Sequence, residues 1–236
     1  MEHEARKNLK VLAWNTQGGG EKKIANLCDS MTEQPDVICV AEAGRWIEGD
    51  YEIDRGYDLS QEFGGKKYTG SWVAWAQKKN GGNLRCSMAV LGQEGLWEYG
   101  FFQSPKARPI PFAQGQGWRI FVGHMKAIEQ VAGPQINNLT FDLANDTDGP
   151  WVLVGDMNYD LLKKSVASLD LFPDHDFETV TPGVATQQSG GQLDWGIGQD
   201  LGRWKAQIVR VYRPEGQGPS GTDSDHSAIL YTLNCS

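Results

Sequence analysis

Five short apolar runs, each with polar residues at one end, punctuate the chain: 11–15 ending in Asn15, 37–42 ending in Glu42, 120–124 ending in His124, 151–158 ending in Asp156 and Asn158, and a last run, 227–231, that follows Asp225-His226. Runs of this length bounded by Gly and polar residues predict buried strands. Between them, Ile24, Leu27, Cys28 and Met31 recur at i, i+3, i+4 and i+7, which predicts a helix opening at Gly18-Gly19-Gly20. A second helix is expected over 130–145, and further strands over 193–198, 207–213 and 227–233. The segments 71–77 and 85–92 read as a hairpin around Lys79-Asn80-Gly81-Gly82. Residues 43–70 are polar with scattered Gly and read as a long surface loop. Strands outnumber helices, which implies an α/β sandwich of two packed, mainly antiparallel sheets with helices outside.

Strands that end on one edge would gather Asn15, Glu42, His124, Asp156, Asn158, Asp225 and His226, although most are far apart in sequence. A carboxylate at the end of a buried run is costly unless paired or coordinated, which singles out Glu42 as a metal ligand. A hard cation such as Mg²⁺ wants oxygen donors and keeps some of its water, so Glu42, the Asn15 carbonyl and Asp225 make a plausible open site. Gly155-Asp156-Met157-Asn158 presents two polar groups at i and i+2, expected on one side of a strand. Asp225 and His226, read as neighbours on a strand, would project oppositely and fail to pair. Asp194 is then the natural carboxylate to fix the tautomer of His226.

With 236 residues and 39% hydrophobic content, the chain can bury one substantial core, and no repeat or linker divides it. One domain over 1–236 is expected. A formal net charge of −8 argues against bulk electrostatic coating of nucleic acid or membrane, yet permits a local basic groove. Its candidate members are Lys66-Lys67, Lys78-Lys79, Arg85, Lys106, Arg108 and Lys126. Cys28, Cys39, Cys86 and Cys235 show no metal-binding spacing and read as buried thiols. His3 and His175 carry no expectation of chemistry. No apolar leader precedes the first strand, and no run of 18 apolar residues could span a bilayer. The expectation is a cytoplasmic protein, one exported by a route the chain does not encode, or a trimmed mature form.

Seven ordered motifs then carry a resemblance: Trp-Asn-x-Gln-Gly at 14–18, Glu-Ala-Gly at 42–44, Arg-Pro-Ile at 108–110, a strand ending in His124, Gly-Asp-x-Asn at 155–158, Thr-Gln-x-Ser-Gly-Gly-x-Leu-Asp-Trp at 186–195, and Ser-Asp-His at 224–226. In this order they resemble the endonuclease/exonuclease/phosphatase superfamily, and within it the catalytic B subunits of cytolethal distending toxins. The resemblance implies a deoxyribonuclease I-like, four-layered α/β sandwich and Mg²⁺-dependent phosphodiester hydrolysis, with Mn²⁺ or Ca²⁺ as alternatives. It implies that Glu42 binds the metal beside Asn15 and Asp225, and that Asp156 and Asn158 align water and phosphate. His124 and His226, the latter oriented by Asp194, would form the acid–base pair, and Arg85 and Arg108 would contact DNA phosphates. Ala41 departs from the Gln common in the family before that Glu. Three readings follow: a monomeric DNA endonuclease of the toxin type, whose delivery or inhibitor partners the sequence does not reveal; a phosphatase for phosphoinositides or another small ester; and a catalytically silent binding module. Selectivity among them would reside in segments such as 43–70 and 159–190.

Overall fold

The computed structural model describes residues 8–47, 52, 55–74, 84–105, 108–169, 171–199, 204–212 and 224–235. Lys78-Lys79, the turn at 79–82, Lys106 and His3 lie outside them. Thirteen strands and two α-helices are described: β1 (Asn8–Asn15), α1 (Gly20–Ser30), β2 (Val37–Ala41), β3 (Gly56–Phe63), β4 (Lys66–Val73), β5 (Met88–Gln93), β6 (Glu98–Phe102), β7 (Ile110–Gly115), β8 (Trp118–His124), α2 (Glu129–Asp146), β9 (Trp151–Asp156), β10 (Phe177–Val180), β11 (Asp194–Gln199), β12 (Trp204–Tyr212) and β13 (Ala228–Cys235).

One sheet runs β12-β13-β1-β2-β5-β4-β3 and the other β10-β11-β9-β8-β7-β6. Only β1–β2 and β8–β9 pair in parallel; the remaining described ladders are antiparallel. Successive residues of β1 and β2 divide between two cores, which explains why both strands read as unbroken apolar runs. Val11, Ala13, Val37 and Cys39 face the second sheet together with Ile120, Val122 and Val154. Leu12, Trp14, Ile38 and Val40 instead pack under Ile24 and Cys28 of α1. Ala132, Ile136, Leu139 and Leu143 of α2 close the second sheet from its far side. The result is the expected four-layered sandwich of the deoxyribonuclease I-like type.

Two expectations are corrected. Residues 43–70 are not one long loop, because β3 and the first half of β4 occupy much of the segment. Only Leu59 and Phe63 of β3 are buried, since it is an edge strand, and its apolar signal is correspondingly weak. The turn Gly64-Gly65, with φ of 52° and 69°, has the two left-handed residues that a tight hairpin of this kind demands. Asp225 and His226 do not lie on a strand either: they precede β13, and His226 forms an isolated bridge with Gln187. Strands β6, β7 and β10 were not foreseen. Among the described residues no helix is long and apolar enough to cross a membrane.

Candidate active site

Register in the second sheet builds one wall of the site. His124, Asp156 and Asp194 are directly paired neighbours across β8, β9 and β11, so their side chains stand in a row on one face. From the first sheet, Asn15 at the end of β1 donates its amide to Asp156 Oδ2 at 2.8 Å, bridging the two sheets at their common edge. His226 Nδ1 lies 2.8 Å from Asp194 Oδ2, and its Nε2 faces Asp156 Oδ2 at 3.9 Å. His124 Nε2 approaches the same oxygen from the other side at 3.8 Å. The side chains of both imidazoles and of both aspartates are almost wholly withdrawn from solvent.

Glu42 follows β2 at a φ of 45°, an unusual backbone for a non-glycine residue. Its carbonyl is pinned by the Gly18 amide at 2.7 Å and the Thr16 hydroxyl at 3.0 Å, which holds the turn that aims its carboxylate inward. Glu42 Oε1 faces His124 Nε2 at 3.5 Å, while Oε2 accepts from Arg85 Nε. Asn158, also left-handed at φ 48°, donates its backbone N–H to Asp156 Oδ1 at 3.0 Å and its amide to the Met125 carbonyl at 2.9 Å. It therefore stands past the end of β9, not beside Asp156 on the strand.

Asp225 is the most exposed acid of the group and is held between two glutamines. Gln17 donates to Oδ1, and Gln187 Nε2 lies 3.4 Å from Oδ2. The bend before β13 also lets His226 Nε2 come within 3.6 Å of Asp225 Oδ1, a pairing that a regular strand would have forbidden. Sequence reasoning gave Gln17 and Gln187 no role. It also missed Trp14, whose indole N–H holds the His226 carbonyl at 2.9 Å, and Thr186, whose hydroxyl accepts the Leu193 and Asp194 amides at 3.0 Å each.

The two arginines differ. Arg85 is half-exposed and reaches the site through Glu42. Arg108 turns its guanidinium onto backbone carbonyls, those of His124 and of Cys86, the latter at 3.3 Å. Burial lowers the Arg108 pKa from its ordinary value.

Electrostatics separate the histidines. Burial, assisted by the positive charges of Arg108, His226 and Arg85, pulls His124 down to about 3. Burial opposes the charge on His226 too, but the Asp194 hydrogen bond and the carboxylates of Asp194, Asp156 and Asp225 outweigh it and lift the group to about 9. Asp156 is raised by burial and by the neighbouring Asp194. The two imidazoles that flank one carboxylate oxygen are thus pushed in opposite directions, His124 toward the neutral form and His226 toward the cation.

Among the described residues the acids and imidazole whose ligand-capable atoms all lie within 4.8 Å of one another are Asp156, Asp194 and His226; the expected metal ligands Glu42 and Asp225 fall outside that cluster.

Residues 12–226 match the endonuclease/exonuclease/phosphatase family. The chain belongs to that family. Membership of this family supports a phosphate-ester hydrolase. Three solved structures share the fold across nearly their full length. The biologically active subunit of cytolethal distending toxin is 18% identical, with 97% of this chain and 98% of that chain covered and a TM-score of 0.71. A chain of the toxin from Actinobacillus actinomycetemcomitans is 21% identical, with 96% and 97% covered and a TM-score of 0.65. Its counterpart from Haemophilus ducreyi is 20% identical, with 96% and 98% covered and a TM-score of 0.62. No curated protein matches the sequence.

Proposed function

We propose that the protein is a divalent-metal-dependent phosphodiesterase that acts on DNA as an endonuclease. The observation that carries this reading is the pair of imidazoles whose Nε2 atoms lie 3.8 and 3.9 Å from one oxygen of Asp156. A phosphoryl transfer needs an acceptor for the proton of the attacking water and a donor for the leaving oxygen, and these two groups supply them.

The donor set fits a hard cation. Glu42, Asp225 and the Asn15 side-chain carbonyl would supply oxygen ligands, and Asp194 Oδ1 is a buried acceptor with no hydrogen-bond partner among the described residues. A net excess of carboxylate in a partly buried space is stabilised by added positive charge. Glu42 is the principal ligand, with Asn15 and Asp225 beside it. Bound there, Mg²⁺, or Mn²⁺ or Ca²⁺ in its place, supplies charge neutralisation at the phosphate oxygens.

The chain's own groups do the rest. Neutral His124 takes the proton of the attacking water at Nε2, and Asp156 and Asn158 orient that water and the scissile phosphate. Cationic His226, fixed through Nδ1 by Asp194, delivers its Nε2 proton to the leaving oxygen. Arg85 contacts a substrate phosphate, whereas Arg108 acts as a positioning residue that holds the His124 carbonyl. The deciding experiment offers supercoiled plasmid, single-stranded DNA, RNA and a phosphoinositide panel, each with Mg²⁺ and with chelator. Metal-dependent plasmid nicking is expected; turnover confined to phosphoinositides would overturn the assignment to DNA.

A further inference from the structure

Asn15 and Asp225 arrive from opposite ends of the chain, and one residue touches both. Gln17 donates its backbone N–H to Asn15 Oδ1 at 3.1 Å. Its side-chain amide closes a ring on Asp225: Nε2 donates to Oδ1, and Oε1 accepts the Asp225 backbone N–H at 3.3 Å. These bonds are not needed to join the two segments. Trp14 Nε1 already donates to the His226 carbonyl at 2.9 Å, and the Ser224 hydroxyl donates to the Asn15 carbonyl while accepting the His226 N–H at 3.1 Å. What Gln17 adds is orientation of side chains.

The Asp225 side chain is 38% exposed, and an exposed carboxylate is ordinarily free to rotate. Here the Gln17 amide holds one oxygen, and Gln187 Nε2 faces the other at 3.4 Å. Both donors are neutral, so the hold withdraws no charge from the carboxylate, unlike the Arg85 guanidinium on Glu42. At Asn15 the amide is fixed at both ends, Nδ2 on Asp156 and Oδ1 under the Gln17 N–H, and a carbonyl oxygen with one such bond keeps a second lone pair. The backbone points the same way. Gln17 has a φ of 50°, a left-handed conformation that glycine would hold without strain. A glutamine there is accounted for by its side chain, not by the turn. We infer that Gln17 is a positioning residue of the metal site, whose side chain pre-sets the Asp225 carboxylate as an oxygen donor beside Asn15. A donor already held in place loses little rotational freedom on coordination, so the gain lies in metal affinity. This rests on the metal-dependent reading above.

The test titrates Mg²⁺ by calorimetry, without substrate, into the unaltered chain and into Gln17→Met and Gln17→Gly. Methionine keeps the length of the side chain and removes both of its hydrogen bonds; glycine removes the side chain and relieves the left-handed backbone. Each should raise the Mg²⁺ Kd by about 10- to 100-fold. In chelator the thermal midpoint of Gln17→Gly should stay close to that of the unaltered chain, because relief of strain offsets the lost hydrogen bonds. Combining Gln17→Met with Asp225→Ala should weaken Mg²⁺ binding no further than Asp225→Ala alone, since the side chain acts through Asp225. Unchanged Kd in both single variants, an affinity loss that tracks a lower thermal midpoint in both, or an added loss in the double variant overturns this inference alone. No Mg²⁺ binding by the unaltered chain overturns the metal-dependent reading and this inference together.

Discussion

Glu42 holds a left-handed backbone that costs a non-glycine residue on the order of 1–3 kcal/mol, and it is kept there by the Gly18 amide and the Thr16 hydroxyl. Strain retained at a carboxylate aimed into an acidic cluster is what a metal ligand would show. Glu42→Gln should raise the Mg²⁺ concentration needed for half activity while leaving the fold intact; an unchanged metal titration by calorimetry and activity would remove Glu42 from that role. For the imidazoles, His226→Ala and His124→Ala should each lose about 10²- to 10⁴-fold in kcat. Asp194→Asn should lose less than His226→Ala, and the double variant little more than His226→Ala, because Asp194 acts through His226. Fully multiplicative losses would separate them. The same pair sets a pH dependence of stability in the metal-free protein. His226 is lifted from 6.5 to about 9, so its contribution is complete below 6.5 and lost as pH rises through 9. His124 is depressed to about 3, so its contribution is complete above 6.5 and lost as pH falls toward 3. Thermal midpoints should therefore decline from pH 6.5 to 9, and Asp194→Asn should flatten that decline.

Strand register accounts for what could and could not be read from the residue pattern. Asn15, Glu42, His124 and Asp156 were legible because each closes a run buried on both faces, where a polar residue is conspicuous. Asp194 was legible only as a partner for His226, and the 2.8 Å contact to Nδ1 matches that expectation. The hold of Gln17 and Gln187 on Asp225 was not legible, because glutamines in turns carry no periodicity and the contact spans most of the chain. Strand β3 was hidden by its polar, edge character, although Gly64-Gly65 between Phe63 and Lys66 was a hairpin signal in plain view. Strand β6, with no buried residue, offered still less. Close packing of β8 on β9 makes Gly155 the sharpest test of this register. At φ 142° its absent Cβ would lie 2.1 Å from the Gly123 carbonyl oxygen, a backbone atom that cannot step aside. Gly155→Ala should lower stability by roughly 2–6 kcal/mol, from backbone strain and overpacking together, as read from denaturant midpoints. A near-neutral result would mean that β8 and β9 do not pair as described.

Taken as a whole molecule, the protein carries a net charge of −8, so long-range attraction for a polyanion is absent and any hold on DNA must come from a few local contacts. Arg85 is the first candidate for such a contact under the nuclease proposal. Its guanidinium is already paired with Glu42, and this gives one substitution two opposite consequences. Without Arg85 the Glu42 carboxylate is freed for the cation, so Arg85→Ala should tighten Mg²⁺ binding measured by calorimetry in the absence of substrate. The same change removes a phosphate contact, so the slope of log DNA affinity against log salt should become shallower by about 0.9. Arg108→Ala should behave differently, because its guanidinium is spent on the His124 and Cys86 carbonyls: kcat should fall with His124 misplaced, and the salt slope should stay as it was. A phosphatase for compact esters, held by one or two phosphates, would show a flat salt response in every variant. Measuring substrate binding in the Glu42→Gln background from low to physiological salt separates the cases, and a flat response with Arg85 dispensable on DNA would shift the assignment from nuclease to phosphatase.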